Sequence, residues 1–287
     1  MRAAVARPIS ELTLAVGRLG RGERNLALPT KAAGEIGVLA REFELMAQQL
    51  TERQLVLERR NGELEQFAYV SSHDLQEPLR MVASFTQLLA ERYGERLDDE
   101  AREFIGFAVD GARRMQRLIN DLLEYSRVTT RGREFGSVAL GRLLEEVVTD
   151  LRVAVEESGA RVSWGELPTV MGDETQLAQV FRNLISNAIK FRGDEPPVVE
   201  ITAERRGDEW LVAVRDNGIG VPSEQAERVF VIFQRLHGRT EYPGTGIGLS
   251  ISKRIVERHG GRVWVEPASP RGSVFYFTLP VNAKEPV

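Results

Sequence analysis

The sequence predicts a multidomain protein in which an all-α region, a dimeric helical hairpin or four-helix bundle, precedes an α/β sandwich domain. Its 287 residues exceed the usual size of a single domain. The first part of the chain carries apolar side chains at helical spacing, and after residue 132 helical patterns mix with β-rich runs. We expect paired short helices at 1–50, a coiled coil and hairpin at 51–127, a linker at 128–137, and the α/β domain at 138–284.

The composition argues against several classes of function. The balance of 38 Lys and Arg against 42 Asp and Glu gives a formal charge of -4, which supplies no basic field for nucleic acid or anionic lipid. Without cysteine there is no disulfide framework, zinc-thiolate site or thiol nucleophile. No stretch approaches about 18 uninterrupted apolar residues, and the N-terminus lacks a signal-peptide core, so we expect a soluble chain.

The first 64 residues are expected to be helical and to favour a dimer. Apolar residues recur at helical spacing from Ile9 to Leu19, a breaker-rich segment runs from Gly20 to Gly34, and helical spacing resumes from Ile36 to Leu50. Leucines then repeat every seven residues at Leu57 and Leu64, the spacing of a coiled coil. A dimer is therefore favoured over a monomer.

Two long amphipathic helices are predicted around a polar turn. The first runs from Leu64 to about Leu89, and apolar residues from Phe104 to Leu122 give the second the same period. The polar segment from Tyr93 to Asp99 separates them, so an antiparallel hairpin is expected. Doubling the hairpin about a two-fold axis would make a four-helix bundle and bury apolar faces that one hairpin leaves exposed.

The second domain is predicted to begin near Val138 and to mix helices with a sheet of mixed or antiparallel pairing. The strand candidates are Arg161–Trp164, Val198–Glu204, Trp210–Arg215, Arg262–Glu266 and Ser273–Leu279. The expected helices are Leu140–Glu157, Glu174–Phe191 and Gly248–His259. Asp173, followed three residues later by Gln176, is typical of an N-cap, and Gly207–Asp208 predicts a turn.

A polar face on the second of these helices is the first candidate for chemistry. Gln179, Asn183, Asn187 and Lys190 fall on one face at spacings of four, four and three. An Asn carbonyl oxygen suits Mg²⁺, and a lysine neutralises phosphate. The alternative explanation is an ordinary solvated face.

Two glycine-containing segments are further candidates. Asp216–Gly220, DNGIG, directly follows an apolar strand, and an ordinary turn is the alternative explanation. Gly244–Leu249, GTGIGL, opens a helix in the manner of a phosphate-binding loop. The lysine and hydroxyl residue of a Walker loop are absent, and no preceding strand supports a dinucleotide fold.

Taken in order, these segments resemble the N, G1, F and G2 boxes of histidine kinases. The boxes are NLISNAIKF at 183–191, DNGIG at 216–220, FVIFQR at 230–235 and GTGIGL at 244–249. Four boxes in this order are highly specific. The resemblance implies the Bergerat-type, GHKL-type ATP-binding fold that histidine kinases share with DNA gyrase, the MutL mismatch-repair protein and the Hsp90 chaperone.

The resemblance also implies which residues bind ATP and Mg²⁺. Asp216 would bind the adenine amino group, and Asn187 would be the metal ligand for Mg²⁺. Asn183 and Lys190 would lie near the phosphates. Gln179 stands where many family members have Glu.

A mobile lid over the nucleotide is implied in the same way. The glycines that would form or hinge the lid are Gly218, Gly220, Gly244, Gly246 and Gly248. Phe230 and Phe233 would pack it, and Arg235 is a further candidate for contact with the γ-phosphate. His237 is assigned to the lid, and His259 to a helix C-terminus, where a positive charge would suit the dipole.

His73 distinguishes a kinase from an ATPase of the same fold. The segment SSHDLQEPLR at 71–80 resembles the phosphoacceptor box, particularly that of phytochrome-like kinases, and lies on the first hairpin helix. A neutral imidazole is a competent nucleophile, and Asp74 can orient it or take its proton. Pro78 removes a helical hydrogen bond, so a bend is expected just after His73.

Together these resemblances imply an autophosphorylating protein-histidine kinase. The phosphoryl group of Mg²⁺-ATP would pass to His73 after the ATP-binding domain swings on the 128–137 linker, and then to an Asp of a response regulator. A catalytically weak signalling scaffold is one alternative, which the intact boxes disfavour. A GHKL-type ATPase is another, which the acceptor box disfavours. Glu77 stands where many members with phosphatase activity carry Thr or Asn.

Residues 1–50 resemble a HAMP signalling module, through Arg7–Ile9 and Glu35–Gly37. A coiled-coil leader is the alternative. HAMP modules usually follow a transmembrane helix. We therefore expect this chain to be the cytoplasmic portion of a membrane-anchored parent, with the sensor missing.

Overall fold

The computed structural model describes residues 9–15, 17–18, 28–29, 34–130, 132–236, 238, 242 and 244–281. Within the helices, the side chains of residues 54, 57–58, 60–74, 95 and 129–130 fall outside that description. The chain divides into two compact units, residues 1–67 and 68–287. In the described part of the chain, no helix is both long and apolar enough to cross a membrane.

Helices make up most of the described part of the first unit. Residues 9–15 are helical, and Leu12 and Ala15 are buried. Helix α1 begins at Glu35, a carboxylate in the first turn, where the helix dipole favours negative charge. Ala40, early in α1, is also buried.

Helix α1 is longer than the sequence pattern predicts. It runs without a break from Glu35 to Tyr93, so the predicted short second helix is only its first part. Residues 51–64 contain no proline and are mainly the strong helix formers Leu, Glu, Arg and Gln. The helix therefore continues past Leu50, and it also runs through Asn61 and Gly62.

Helices α1 and α2 form the predicted antiparallel hairpin. A 3₁₀ turn at Gly94–Arg96 follows α1, and α2 runs from Asp99 to Thr130. The amide of Gln76 donates a hydrogen bond to Asn120 Oδ1 across the hairpin at 2.7 Å. Further along α1, Gln87 Oε1 accepts from Arg113 at 3.5 Å. The partner position in α2 thus moves backward as the chain advances along α1, as in an antiparallel pair.

Both hairpin helices continue through residues at which the sequence pattern predicted a bend or the start of the linker. Helix α1 passes through Pro78 without interruption, and the bend expected beside it stays a prediction. Helix α2 includes Thr129 and Thr130, which the sequence pattern had assigned to the linker. Strand β1, Gly136–Ala139, begins inside the predicted 128–137 linker.

The α/β domain has seven strands and four helices in its described part. In chain order its elements are β1 Gly136–Ala139, α3 Leu140–Asp150, α4 Arg152–Ser158, β2 Arg161–Trp164, β3 Thr169–Gly172, α5 Glu174–Lys190, β4 Val198–Arg206, β5 Glu209–Asp216, α6 Gly248–Arg258, β6 Val263–Pro267 and β7 Ser273–Pro280. Two 3₁₀ turns, Ser223–Gln225 and Arg228–Phe230, lie between β5 and α6.

The main sheet has the strand order β2-β4-β5-β7-β6. Strands β2 and β4 pair in parallel, and the other neighbours pair antiparallel, so the prediction of mixed pairing is confirmed. The predicted turn at Gly207–Asp208 joins β4 to β5. Strands β1 and β3 form a separate antiparallel pair, in which Val138 faces Val170.

One face of the sheet packs against the helices to form the core. Ile201 of β4 pairs with Val214 of β5, Phe277 of β7 pairs with Val212 of β5, and all four side chains are buried. Phe181 of α5 meets Phe277 edge to face, with ring centroids 5.7 Å apart. Each such buried side chain contributes about 1.5 to 3 kcal/mol. The core therefore fixes α5 firmly against the sheet.

Two details of this domain differ from the sequence prediction. The single helix expected from Leu140 to Glu157 is divided at Leu151 into α3 and α4. Strands β1 and β3 were not predicted. Each has only four residues, and their paired residues lie 30 to 36 positions apart in the chain, so no local pattern shows that they pair.

Candidate functional site

A cavity of 360 Å³ lies between α5, the start of α6 and the segments that follow β5. It brings together nine of the residues that the sequence analysis selected. They are Asn183, Asn187, Lys190, Asp216, Gly220, Arg235, Gly244, Gly246 and Gly248. Gly218, Phe230 and Phe233 lie near this group but do not line the cavity. The side chains of His73 and Asp74 are outside the described part of α1.

Helix α5 places its polar face in the cavity because its apolar face is buried in the core. Asp173 caps the helix as predicted, accepting a hydrogen bond from the N–H of Gln176 at 3.2 Å. The amide of Asn183 donates to Gly248 O at 3.0 Å and to Ser252 Oγ at 3.3 Å. These bonds tie α5 to the first turn of α6. Asn187 follows one turn later on the same face.

Lys190 supplies positive charge at the end of α5. Burial, and secondly the nearby Arg235 guanidinium, lower the pKa of Lys190 from its ordinary value. Its Nζ lies 4.2 Å from the centroid of the Phe191 ring. An anion between Lys190 and Arg235 would relieve their mutual repulsion.

Asp216 lies at the end of β5, with its carboxylate held by the backbone. Asp216 Oδ1 accepts hydrogen bonds from the N–H of Gly218 at 2.8 Å and of Ser273 at 3.2 Å. Burial raises the pKa of Asp216, and these two bonds act in the opposite direction. Ser273 is 57 residues away in the chain, so the sequence analysis did not select it.

Two glycines allow the backbone to approach Asp216 closely. A Cβ on Gly218 would collide with the carbonyl oxygen of Phe191. Gly272 has φ +96°, and a Cβ there would collide with the backbone carbonyl of Asp216. Gly272 was not among the predicted site residues, because its role depends on a strand that neighbours β5 only in the folded sheet.

The two phenylalanines that were expected to pack the lid differ in their exposure. Phe230 is buried and meets Phe275, a cavity residue, edge to face at 6.4 Å. Phe233 is 54% exposed, at φ +64°, and its backbone N–H donates to Gly246 O at 3.1 Å. Its contribution in this conformation is a backbone contact, because the loop turns its side chain to solvent.

Arg235 is bound to the backbone of the glycine-rich segment. Its guanidinium donates to Gly244 O at 2.8 Å, to Gly238 O at 3.3 Å and to Tyr242 O. Arg235 therefore organises the loop and lines the cavity at once. His237, also assigned to the lid, lies outside the described residues.

Helix α2 contributes cavity residues that the sequence analysis missed. Asp121 and Glu124 line the cavity, and Asp121 Oδ2 accepts a hydrogen bond from the hydroxyl of Thr245. Arg254 of α6 donates to the hydroxyl of Tyr125 at 3.2 Å and lies 4.8 Å from its ring centroid. Only tertiary packing brings this part of α2 to the site.

The carboxyl group of Glu124 lies between α2 and α5. Its pKa is raised by desolvation and secondly by the Asp121 carboxylate. Arg182, Arg127 and a hydrogen bond from the Gln179 side chain act in the opposite direction. Gln179, noted in the sequence as a departure from Glu, thus donates to a carboxylate that a glutamate would repel.

The linker end of α2 is held by a buried polar cluster, consisting of Asp173, Gln176, Arg258 and His259. Arg258 pairs with Asp173 Oδ2 at 3.3 Å, and the two side chains are 8% and 2% exposed. Arg258 also donates to Gln176 Oε1 at 2.8 Å. Gln176 in turn donates to the carbonyl of Val128 at 2.8 Å. The Asp173 N–H, from which Gln176 would accept in a complete capping box, donates to His259 Nε2 instead.

The same cluster binds the linker beyond α2. Asp173 Oδ2 accepts from the N–H of Arg133 at 2.7 Å, and Arg258 donates to the Arg133 carbonyl at 3.0 Å. The ring of Phe135 stacks on His259 with centroids 4.5 Å apart, and the Arg258 guanidinium lies 5.0 Å from the Phe135 centroid. The cluster therefore fixes both sides of the junction between the hairpin and the α/β domain.

The expected positive charge on His259 is wrong. His259 is 2% exposed, its Nε2 accepts from the N–H of Asp173 at 3.0 Å, and its Nδ1 lies 2.7 Å from Ile255 O. This pattern requires a neutral ring that donates from Nδ1. Desolvation lowers the pKa of His259, against the smaller effect of the bond to Ile255. The cost of burying a charged imidazole therefore outweighs the stabilisation that the helix dipole would give to a positive charge at this position.

Three family models match successive parts of the chain. Residues 1–52 match the HAMP domain, and residues 63–131 match the His Kinase A (phospho-acceptor) domain. Residues 172–283 match the histidine kinase-, DNA gyrase B- and HSP90-like ATPase family. The chain belongs to the sensor histidine kinases.

Within that family, similar relatives include cyanobacterial phytochromes. Cyanobacterial phytochrome A of Nostoc sp. is 54% identical over 229 residues, which are 80% of this chain and 30% of the relative. Sensor histidine kinase WalK of Bacillus subtilis is 31% identical over 237 residues, 79% of this chain and 38% of the relative. The chain spans about a third of the length of the first curated relatives.

Solved histidine kinases have a similar fold. Full-length ShkA in complex with AMPPNP has a TM-score of 0.59 at 27% identity, covering 77% of this chain and 47% of that chain. ThkA in complex with the response regulator protein TrrA has a TM-score of 0.56 at 27% identity, covering 82% and 66%. The second domain is thus an ATP-binding domain of the Bergerat type.

Proposed function

We propose that this chain transfers the γ-phosphoryl group of ATP to His73 and then to an aspartate of a response regulator. The observation that carries the proposal is the cavity where Asp216, Asn187 and Lys190 meet, in a chain whose helix α1 contains His73. The cavity alone would also suit an ATPase. The phosphoacceptor match around His73 supports the kinase.

Adenine recognition is assigned to Asp216. The two backbone bonds to Oδ1 fix the orientation of the carboxylate, so that Oδ2 can accept a hydrogen bond from the adenine amino group. Burial makes that bond selective, because a base without the amino donor would leave a desolvated carboxylate without a partner.

Asn187 is the proposed protein ligand for Mg²⁺. Among the described residues, no three His, Cys, Asp or Glu side chains lie close enough together to hold a metal ion. A single amide oxygen fits Mg²⁺ in a nucleotide site, because this ion keeps several waters and takes other ligands from the phosphates. When bound, Mg²⁺ neutralises part of the phosphate charge.

Lys190 and Arg235 would bind the phosphate groups. Both line the cavity beside the Gly244–Gly248 segment. A triphosphate between them would restore the pKa of Lys190 toward its ordinary value, because phosphate charge offsets the repulsion from Arg235.

In the proposed reaction, a ring nitrogen of His73 forms a bond to the γ-phosphorus as the bond to the bridging oxygen breaks. ADP leaves, and Asp74 or solvent takes the proton from the imidazole. The second step returns the imidazole as the phosphoryl group moves to a carboxylate of the regulator. The enzyme supplies mainly positioning and charge neutralisation.

The proposed swing of the ATP-binding domain about the 128–137 linker is constrained by the buried polar cluster. The carbonyl of Val128, the backbone of Arg133 and the ring of Phe135 are all engaged by it. Because the cluster holds Val128 at the end of α2 as well as the linker, the swing requires opening of the cluster or bending of α2 before Val128.

We also propose that the chain acts as a homodimer through its hairpin. Apolar side chains on α1 and α2 are about half exposed in the single chain. They include Leu75, Met81, Val82, Phe85, Leu88, Phe104, Phe107 and Met115. A second hairpin packed on this surface would complete a four-helix bundle. Sedimentation equilibrium of the full chain measures the mass directly.

The HAMP match supports a cytoplasmic position in a membrane-anchored parent.

Labelling with radioactive ATP tests the kinase assignment. We expect incorporation in Mg²⁺ that is labile to acid and stable to alkali, as phosphohistidine is. His73→Gln should abolish incorporation and leave ATP affinity nearly unchanged, because the acceptor lies on α1 and the cavity in the other domain. Acid-labile label on His73→Gln would contradict the acceptor assignment. ATP hydrolysis without label would favour the ATPase.

A further inference from the structure

Helix α2 places two carboxylates at the nucleotide cavity. Asp121 and Glu124 are three residues apart, so they share one face of the helix. Both line the cavity that also contains Lys190. Asp121 Oδ2 accepts a hydrogen bond from Thr245, within the segment expected to wrap the phosphates. Negative charge therefore stands where the proposed ligand brings more negative charge.

This arrangement is unfavourable for the carboxylate of Glu124. Desolvation, followed by the charge of Asp121, raises the pKa of Glu124. Arg182 from α5, Arg127 from α2 and the hydrogen bond from Gln179 offset part of that effect. The charged form of Glu124 is thus tolerated at this position rather than stabilised by it.

Docking of α2 onto the ATP-binding domain does not depend on these carboxylates alone. Arg254 contacts Tyr125 through both its hydroxyl and its ring. Leu118 and Tyr125 also pack against the apolar core of the domain. The contact therefore has its own anchors, and the charge of the two acids at the cavity needs a separate explanation.

We propose that Asp121 and Glu124 form a carboxylate gate, which holds the Gly244–Gly248 segment through Thr245 and opposes the phosphate groups of an incoming nucleotide. The proposal rests on the nucleotide-binding function assigned to the cavity above. In the docked conformation the gate is an autoinhibitory contact, because ATP must move α2 away from the segment or bind against its charge. Release of α2 raises nucleotide affinity, and bound ATP favours the released state by the same factor.

The gate discriminates nucleotides by charge. Adenosine carries no phosphate, whereas ADP and ATP carry increasing negative charge even with Mg²⁺ bound. Removal of one carboxylate charge near the phosphates should tighten binding by about threefold to tenfold, at an effective dielectric constant between those of a protein surface and water. The gain in affinity should be largest for ATP, smaller for ADP and absent for adenosine, and it should shrink at high salt.

Calorimetric titration of the full chain with adenosine, ADP and ATP in excess Mg²⁺ tests the gate. The variants are Asp121→Asn and Glu124→Gln, which keep side-chain shape and remove charge. Asn can still accept the hydrogen bond from Thr245, so the contact itself is preserved. Asp110→Asn is the matched control, because Asp110 is exposed on the same helix, about 16 Å from Asp121 and about 21 Å from Glu124 along the helix axis.

The expected result is a dissociation constant for ATP about fivefold lower in each gate variant, a smaller change for ADP, and none for adenosine. Asp110→Asn should bind all three ligands like the unmodified chain. Equal gains for adenosine and ATP would refute the gate and indicate a steric effect. Unchanged ATP affinity in both gate variants would also refute it. If the unmodified chain binds none of the ligands, the nucleotide-binding function falls first, and the gate with it.

Discussion

Replacing Arg258 with alanine is expected to destabilise the ATP-binding domain by about 3 to 5 kcal/mol. The guanidinium pairs with Asp173, and the two side chains are 8% and 2% exposed. It also donates to Gln176 Oε1 at 2.8 Å and to the Arg133 carbonyl at 3.0 Å. Its removal leaves a desolvated carboxylate with backbone donors only, which is the costly way to break a buried ion pair.

Urea unfolding followed by tryptophan fluorescence measures this loss of stability in the domain that contains Arg258. The three tryptophans, Trp164, Trp210 and Trp264, all lie in the main sheet of that domain. With an m-value of about 2 kcal/mol per molar urea, the expected loss lowers the unfolding midpoint by about 2 M.

A matched control separates this effect from the general cost of an Arg to Ala change. Arg142 pairs with Glu146 at 3.2 Å, but the side chains are 80% and 56% exposed. Arg142→Ala should therefore change the free energy of unfolding by less than about 0.5 kcal/mol. An Arg258→Ala midpoint within the range of Arg142→Ala would refute the reasoning.

A double variant tests whether the uncompensated charge is the cause. Arg258→Met removes the cation, and Asp173→Asn removes the charge that it leaves behind while keeping a helix N-cap. The pair of changes together should cost less than Arg258→Met alone, because no unpaired charge then remains buried. A double variant less stable than Arg258→Met would show that packing dominates the cluster.

Three further predictions concern the site and its pH dependence. Asn187→Ala should weaken Mg²⁺-ATP binding by at least about tenfold through loss of the ligand oxygen, and unaltered calorimetric binding would contradict the role. The pKa of His259 in the folded protein lies below its ordinary value, so the neutral ring is favoured by folding. Its contribution to the free energy of unfolding is therefore complete above about pH 6.5 and is lost as the pH falls. Urea unfolding at a series of pH values should accordingly show a smaller loss of unfolding free energy toward acid pH for His259→Gln than for the unmodified chain. The same dependence on pH in both proteins would contradict this. Glu77 is exposed and lies one helical turn after His73. Its negative charge should repel the phosphoryl group of a docked phospho-aspartate and so hinder hydrolysis. Glu77→Thr should therefore accelerate loss of phosphate from a purified phosphorylated regulator. Slower loss in Glu77→Thr would overturn the electrostatic argument.

Those parts of the site that depend on local order could be predicted from the sequence. Asn183, Asn187 and Lys190 recur at helical spacing, so one face of one helix had to carry them. Asp216 ends an apolar strand, and the Gly244–Gly248 segment opens a helix. Each of these signals lies within a few residues of chain. All five core strands of the main sheet were recognisable for the same reason, since each is a β-rich run bounded by turn residues.

The remaining features depend on contacts between distant parts of the chain. The Ser273 N–H that holds Asp216 comes from a strand 57 residues later. The neutral state of His259 depends on an N–H of Asp173, 86 residues earlier, which local helix-dipole reasoning could not include. Burial changes the energetic balance at such positions by more than any local propensity.

By itself, the sequence determined the class of protein. It also predicted the order of the domains and the residues proposed for the nucleotide site, because these follow from short-range periodicity and ordered motifs. Tertiary structure alone decided that Asp121 and Glu124 of α2 line the nucleotide cavity and that Arg258 anchors the linker. The physical reason is that charge and desolvation act through space. The partners that set their effect, such as Thr245, 124 residues from Asp121, are neighbours only after folding.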